Sequence, residues 1–131
     1  MAIITLGTMA FDAIETPFGK VDKIVGGSAI YAAYAASHLT QPIQQISVIG
    51  NDFPEEEINE LKSRGVELSG VEKVADQKSF FWSGKYHLDM NSRDTLVTDL
   101  NVLANFDPQV PDAYQGAEFL MLGNLMPSLQ L

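Results

Sequence analysis

Val25-Gly26-Gly27-Ser28-Ala29-Ile30-Tyr31-Ala32-Ala33-Tyr34-Ala35-Ala36-Ser37-His38-Leu39 is the stretch whose interpretation decides the fold. A strand-like run enters a glycine pair, and the pair opens an alanine-rich helix without a charge. Two glycines let the backbone approach another molecule closely, because no Cβ intervenes. The helix start that follows offers unpaired N–H groups and the positive end of a dipole. Hydroxyls, carboxylates and phosphates suit such a place. Alone, the stretch slightly favours a plain turn into a core helix. Its apolar character on every side predicts burial on most faces, with Tyr31 and Tyr34 as core residues and His38 as a C-terminal cap.

Around it the chain alternates apolar strands with helices. Ala2–Gly7 is apolar and β-branched, as a buried first strand should be, and Asp12 follows a few residues after its C-terminal end. Ligands of open α/β sheets gather beyond the carboxyl ends of strands, which gives Asp12 interest beyond that of a turn aspartate. Gln45–Gly50 is a second core strand. Asp52 as cap, Pro54, the Glu55-Glu56-Glu57 run, Lys62, Arg64 and Gly65 mark a helix from both ends. Helix-end electrostatics explains the glutamates without a metal. Ala117–Gly123 is a third buried strand, with Asn124 at its end.

From Gly65 the texture changes. Val66–Leu68, Val71–Val74, the aromatic run Lys78–His87 and the alternating Thr95–Leu100 lack intervening helices. They predict a small antiparallel sheet, joined by Val21–Val25. Asn105–Pro111 is a loop, and Pro111–Gly116 a short helix.

Composition narrows the function. The 131 residues fit one domain, and 46% apolar content excludes global disorder. Eight scattered basic residues and a net charge of −9 argue against nucleic acid or an anionic membrane as partner. There is no cysteine, no secretory leader pattern and no run near the ~20 apolar residues of a membrane span. A cytoplasmic protein is the simplest expectation. Walker-type phosphate loops, the dinucleotide glycine fingerprint, the H-E-x-x-H metal motif and the G-x-S-x-G elbow are all missing. Two histidines without cysteine give no conventional zinc site, and no metal site is expected. What remains is Asp12, the Gly26-Gly27 turn with Ser28, and Asn124, beneath aromatic strands able to cover a small polar ligand.

These residues resemble the N-terminal half of the ribokinase-like (PfkB) carbohydrate kinases. The match runs through Gly7–Asp12, Gly26-Gly27-Ser28-Ala29 with its alanine-rich helix, Val48-Ile49-Gly50-Asn51-Asp52, Gly65-Val66, and Leu122-Gly123-Asn124 with Pro127 and Gln130. It covers essentially the whole chain, and the ordered series is more specific than any one member. The resemblance implies an α/β fold: a partial three-layer ribokinase-like core at about 1–12, 26–65 and 105–131, with an antiparallel lid at about 13–25 and 66–104. It implies ATP-dependent phosphoryl transfer to a hydroxyl of a sugar or small polyol, with ATP and Mg²⁺ as cofactors of the full-length enzyme and a homodimer through the lid strands.

Asp12, Gly26, Gly27, Ser28, Tyr31 and Asn124 are the implied substrate-binding residues. Tyr31 stands where the family commonly has an asparagine that contacts the sugar, which points to a different substrate subgroup. The family's G-A-G-D-like motif, with its catalytic base and phosphoryl donors, is absent. The chain stops as a helix begins at Pro127, so a fragment is expected, inactive alone, with neither catalytic nor nucleotide residues of its own. A nucleoside kinase of the same fold, with Phe81 or Trp82 stacked on the base, and a non-catalytic sugar-binding module are the alternatives.

Overall fold

Two kinds of strand alternate along the chain, and they sort into two sheets. The computed structural model describes residues 1–131. In order, it contains β1 (Ile3–Leu6), β2 (Ala10–Thr16), β3 (Gly19–Gly26), α1 (Ser28–Ser37), β4 (Ile43–Gly50), α2 (Glu55–Ser63), β5 (Val66–Val74), β6 (Phe80–Tyr86), β7 (Arg93–Asp99), β8 (Phe119–Leu122) and α3 (Pro127–Gln130). Short 3-10 turns occupy Asn101–Asn105 and Asp112–Tyr114.

The core sheet is parallel, in the order β5-β4-β1-β8. β4 is buried at all eight positions, as an apolar strand covered on both faces must be. On one face, Ile43 and Ile49 pack under Ala29, Ile30 and Ala33 of α1 and under Ile58 and Leu61 of α2. On the other, Ile4, Leu6, Ile46 and Val48 meet Val102, Phe106 and Tyr114. This second cover comes from the 3-10 turns rather than from a full helical layer.

The smaller sheet has the order β3-β2-β6-β7, antiparallel at both outer pairs and parallel between β2 and β6. Val66–Val74 is not part of it, contrary to the sequence expectation. Those residues form one continuous strand, paired parallel with β4. The connection from β4 through α2 to β5 is an ordinary βαβ unit, and the exposed charges Glu67, Glu72 and Lys73 fit an edge strand. The expected lid is therefore built from β2, β3, β6 and β7.

A bulge in β5 explains why Pro111–Gly116 folds back. The β4–β5 register shifts between Gln44 and Ile46, pairing Gln44 with Glu67 and Ile46 with Gly70. The fully buried Tyr114 hydroxyl accepts the Gly70 N–H at 3.0 Å and donates to Glu67 O at 2.8 Å. A side chain at Gly70 would press on the Tyr114 ring. One phenol thus satisfies both backbone groups that the bulge frees.

Three other expectations change. α1 buries only Ala29, Ile30 and Ala33, because the sheet lies on one side of it; Tyr31 is 59% exposed. Asp52 does not cap α2, whose N-cap position is Pro54 without a side-chain cap; its Oδ1 instead accepts the Ser79 N–H at 2.8 Å. β8 is not buried either. It is the sheet's edge, and Phe119, Leu120, Met121 and Leu122 are 45–56% exposed. The helix pair itself is tied by the Tyr34 hydroxyl, which donates to Glu57 Oε1; burial, then that carboxylate, raises the phenol's pKa. No helix is long and apolar enough to cross a membrane.

Tyr114→Phe keeps the ring and removes the hydroxyl, stranding the Gly70 N–H and the Glu67 carbonyl. Equilibrium urea unfolding should show a loss of about 1–3 kcal/mol, the cost of unpaired buried polar groups. A change below a few tenths would mean that water satisfies the bulge equally well.

Candidate functional site

The site begins with a collision avoided. Gly27, the N-cap of α1, has φ +104°, a conformation that L side chains rarely adopt. A Cβ there would overlap Thr8 O and lie 2.7 Å from the Thr8 carbonyl carbon. The helix start therefore abuts the chain just after β1, and the Ala29 N–H donates to Thr8 O at 3.0 Å.

Ser28 locks this approach. Its Oγ accepts the Thr8 N–H at 3.3 Å and the Asn124 N–H at 3.2 Å. Its own N–H donates to Thr8 Oγ1 at 3.2 Å, and Thr8 Oγ1 donates to Asn124 Oδ1 at the same distance. Side chains at Gly7 or Gly123 would overlap the Ser28 hydroxyl. The ends of β1 and β8 and the start of α1 are thus held at one point. Ser28 and Asn124, which the family resemblance assigns to substrate, are also parts of this tie.

The lid completes the pocket through strand alternation. Asp12 pairs with Trp82, and Ala10 with Phe80, so these side chains share one face of the lid sheet. Phe11 and Phe81 lie on the opposite face and pack against the main core. The resulting pocket, of about 390 Å³, is lined by Thr8, Ala10, Asp12, Gly27, Ser28, Tyr31, Phe80, Trp82, Tyr86, Arg93 and Asn124. Of the six residues proposed from sequence, five line it. The sixth, Gly26, lies behind Asp12, whose Oδ2 a Cβ at Gly26 would overlap. Trp82 faces the pocket and Phe81 does not, which removes Phe81 as a stacking residue.

Trp82 is held flat. Its ring lies across Gly84, where a Cβ would overlap it, and its Nε1–H donates to Thr95 Oγ1 at 3.3 Å. Sequence alone missed Thr8, Phe80, Tyr86 and Arg93. The period-2 pattern of β6 could have supplied Phe80 and Tyr86 once Trp82 was placed.

Asp12 is the pocket's one carboxylate. Desolvation by burial is the cause that raises its pKa above the ordinary 3.8, with no hydrogen-bond or charge partner to offset it. The sheet half-buries a carboxylate that the protein does not pair, a pattern found at binding sites. No three His, Asp or Glu side chains converge to hold a metal ion. With Arg93 as the pocket's only cation, the residues present do not fit a magnesium–nucleotide. A second groove, of about 360 Å³ between α2 and β5, contains none of the candidate residues.

Two variants separate architecture from charge. Gly27→Ala adds strain at positive φ and a clash with Thr8, and should cost about 2 kcal/mol or more in denaturant unfolding. Asp12→Asn should do the reverse. A carboxyl whose folded pKa is raised favours folding below its unfolded pKa, and that contribution fades as pH rises through the folded value. The melting temperature of Asp12→Asn minus that of the parent should therefore be near zero at about pH 3, grow above pH 4 and level off by neutral pH. A constant difference from pH 3 to 7 would remove the desolvated carboxylate from the account.

No protein-family model matches the sequence, and no curated protein matches it at a significant level. Solved structures do match. Ribokinase from Cryptococcus neoformans, in complex with ADP, superposes with a TM-score of 0.71 at 17% identity, over 92% of this chain and 41% of that one. Halothermothrix orenii fructokinase gives 0.68 at 17% identity, over 93% and 46%. Burkholderia thailandensis nucleoside kinase, in complex with inosine, gives 0.62 at 18% identity, over 76% and 36%. Identities this low speak to architecture alone: the chain has a partial ribokinase-like fold and spans less than half the length of the solved kinases it matches.

Proposed function

We propose that this chain is the acceptor-binding half and lid of an ATP-dependent kinase that phosphorylates a hydroxyl of a sugar or related polyol. The observation that carries this is the unpartnered Asp12 carboxylate, set beside the Gly26-Gly27 turn in a pocket of small-ligand size. An ionised carboxylate accepts hydrogen bonds from two neighbouring hydroxyls, one to each oxygen. A vicinal diol would thus supply the donors that the protein withholds and offset the cost of burying the charge.

Gly26 leaves room for the Asp12 carboxylate and Gly27 for the Thr8 carbonyl, so the two glycines seat the groups that would meet the ligand, and Tyr31, exposed at the pocket wall, closes one side. Asn124 and Ser28 fix the pocket's floor through their tie to Thr8 and contribute polar edges to it. Nucleotide, Mg²⁺ and catalytic base would come from parts of the kinase fold that this chain does not span. The chain by itself should bind the acceptor without turning over ATP.

One observation favours a second reading, a nucleoside kinase. The Trp82 ring is held flat at the pocket wall, a surface on which a base can stack. The nucleoside kinase compared above contains inosine.

Trp82 is the chain's only tryptophan, so its fluorescence reports ligand entry directly. Titration with fructose, ribose and inosine should give a saturable response to a sugar. Asp12→Asn should weaken it at least tenfold, about 1.4 kcal/mol, while its melting temperature at neutral pH equals or exceeds the parent's. A response confined to inosine would replace the sugar with a nucleoside. Unchanged affinity in Asp12→Asn would remove the role of Asp12.

A further inference from the structure

Arg93 is the one charged side chain of the pocket that a neutral sugar does not employ. It opens β7 directly opposite Tyr86 of β6, four residues along that strand from Trp82, which is itself opposite Asp12. Its guanidinium lies 5.5 Å from the Trp82 ring centroid and 5.9 Å from that of Tyr86. Two aromatic faces thus hold the cation at the pocket wall.

Its lack of an ion pair is shared with Lys62 and Lys78, but neither of those lines this pocket. Acidic residues outnumber basic ones by 17 to 8, yet Arg93 is in none of the six ion pairs. The nearest acid in sequence, Asp94, pairs with His87 at 3.0 Å. Stacking occupies the flat faces of a guanidinium and leaves the N–H donors on its edge free. A cation fixed by rings, unpaired and lining a pocket, is arranged to receive an anion from outside the protein. A hydroxyl-only ligand needs no such group.

We propose that the ligand of this pocket carries an anionic group, a carboxylate or a phosphate, which Arg93 binds through the edge of its guanidinium while the ligand's hydroxyls face Asp12. The substrate class is then a sugar acid or a sugar phosphate rather than a neutral sugar. This rests on the sugar-binding proposal above. Asp12 and Arg93 then recognise opposite ends of one molecule. The carboxylate reads donors and repels the anionic end, and the guanidinium reads the anion. A ligand with one charged end is thereby held in a single orientation, which presents the same hydroxyl each time.

Isothermal titration calorimetry of the chain with two matched pairs tests this: glucose against glucuronate for the carboxylate, and fructose against fructose 6-phosphate for the phosphate. One anionic member should bind at least tenfold more tightly than its neutral counterpart, and which pair shows it identifies the group. The preference should shrink as salt is raised from 50 to 500 mM, because the contact is solvent-exposed. Arg93→Gln should bring the anionic-to-neutral ratio close to one, and Arg93→Lys should retain part of it. Circular dichroism spectra matching the parent's would confirm that both variants fold. Equal affinities within both pairs, or a ratio untouched by Arg93→Gln, would overturn the anion proposal and leave the sugar pocket standing. Failure of all four compounds to bind the parent would overturn the sugar pocket together with it.

Discussion

The contact on which the rest depends is the close seat of the α1 N-terminus against the chain after β1. It needs a residue without Cβ at position 27, because the Thr8 carbonyl occupies that space. It also needs small residues at 7 and 123, because the Ser28 hydroxyl stands where their side chains would be. The neighbouring parallel strands β1 and β8 pair Leu6 with Leu122, and each then continues as Leu-Gly-polar: Leu6-Gly7-Thr8 and Leu122-Gly123-Asn124. The two glycines clear one shared space, and one serine fills it with a hydroxyl that both following N–H groups reach. A helix start, two strand ends and the floor of the pocket are fixed by a single side chain.

The pocket exists because two sheets meet at that seat. Only three residues separate β1 from β2, so the chain leaves the core sheet and enters the smaller sheet almost at once. Alternation along β2 then divides the work. Ala10 and Asp12 face the pocket while Phe11 turns into the core, where it packs near Phe53 with ring centroids 5.9 Å apart. The parallel partner β6 repeats the division, with Trp82 on the pocket side and Phe81 on the core side. The smaller sheet is thereby anchored by one face and lines the pocket with the other. Slipping β2 by one residue would expose Phe11 and bury Asp12, and slipping β6 would expose Phe81 and turn Trp82 into the core.

Much of this was legible in the chain. The glycine pair, Asn124 after its strand and the aromatic β6 are local signals; Asp12, expected just beyond the end of the first strand, lies instead within β2 and lines the pocket with Gly27, Asn124 and Trp82. Where the sequence misled, a long-range partner decided. Val66–Val74 carries charges and a glycine, which suit an exposed lid strand and an edge strand of the core equally. Only its pairing with β4, and the Tyr114 hydroxyl that arrives from more than forty residues away, select the core. Asp52 looked like a cap because it precedes Pro54, but the Ser79 N–H reaches it first. Arg93 gave no signal at all. Its significance lies in what surrounds it and in the absence of an acidic partner, and neither is visible along the chain.

The distribution of unsatisfied chemistry separates what this chain does alone from what it prepares. In its interior β4 is sealed on both faces, the β5 bulge is satisfied by one phenol, and α1 and α2 are joined through Tyr34 and Glu57; buried polar atoms of Thr5, Gln44 and Gln45 are left without partners. Toward the surface, unmet demands occur in two places. The pocket holds a carboxylate without donors and a guanidinium without an acid. The outer edge of β8 leaves four apolar side chains about half exposed. The first demand is polar and has the scale of a small molecule. The second is an unpaired strand edge with an apolar surface, which another strand and its covering helix would satisfy. The Asn124 that follows this edge is the same residue that closes the Ser28 tie, so a strand added beside β8 would lie against the pocket floor. Binding at the pocket and completion of the sheet would then stabilise the same residues, and each would be expected to favour the other.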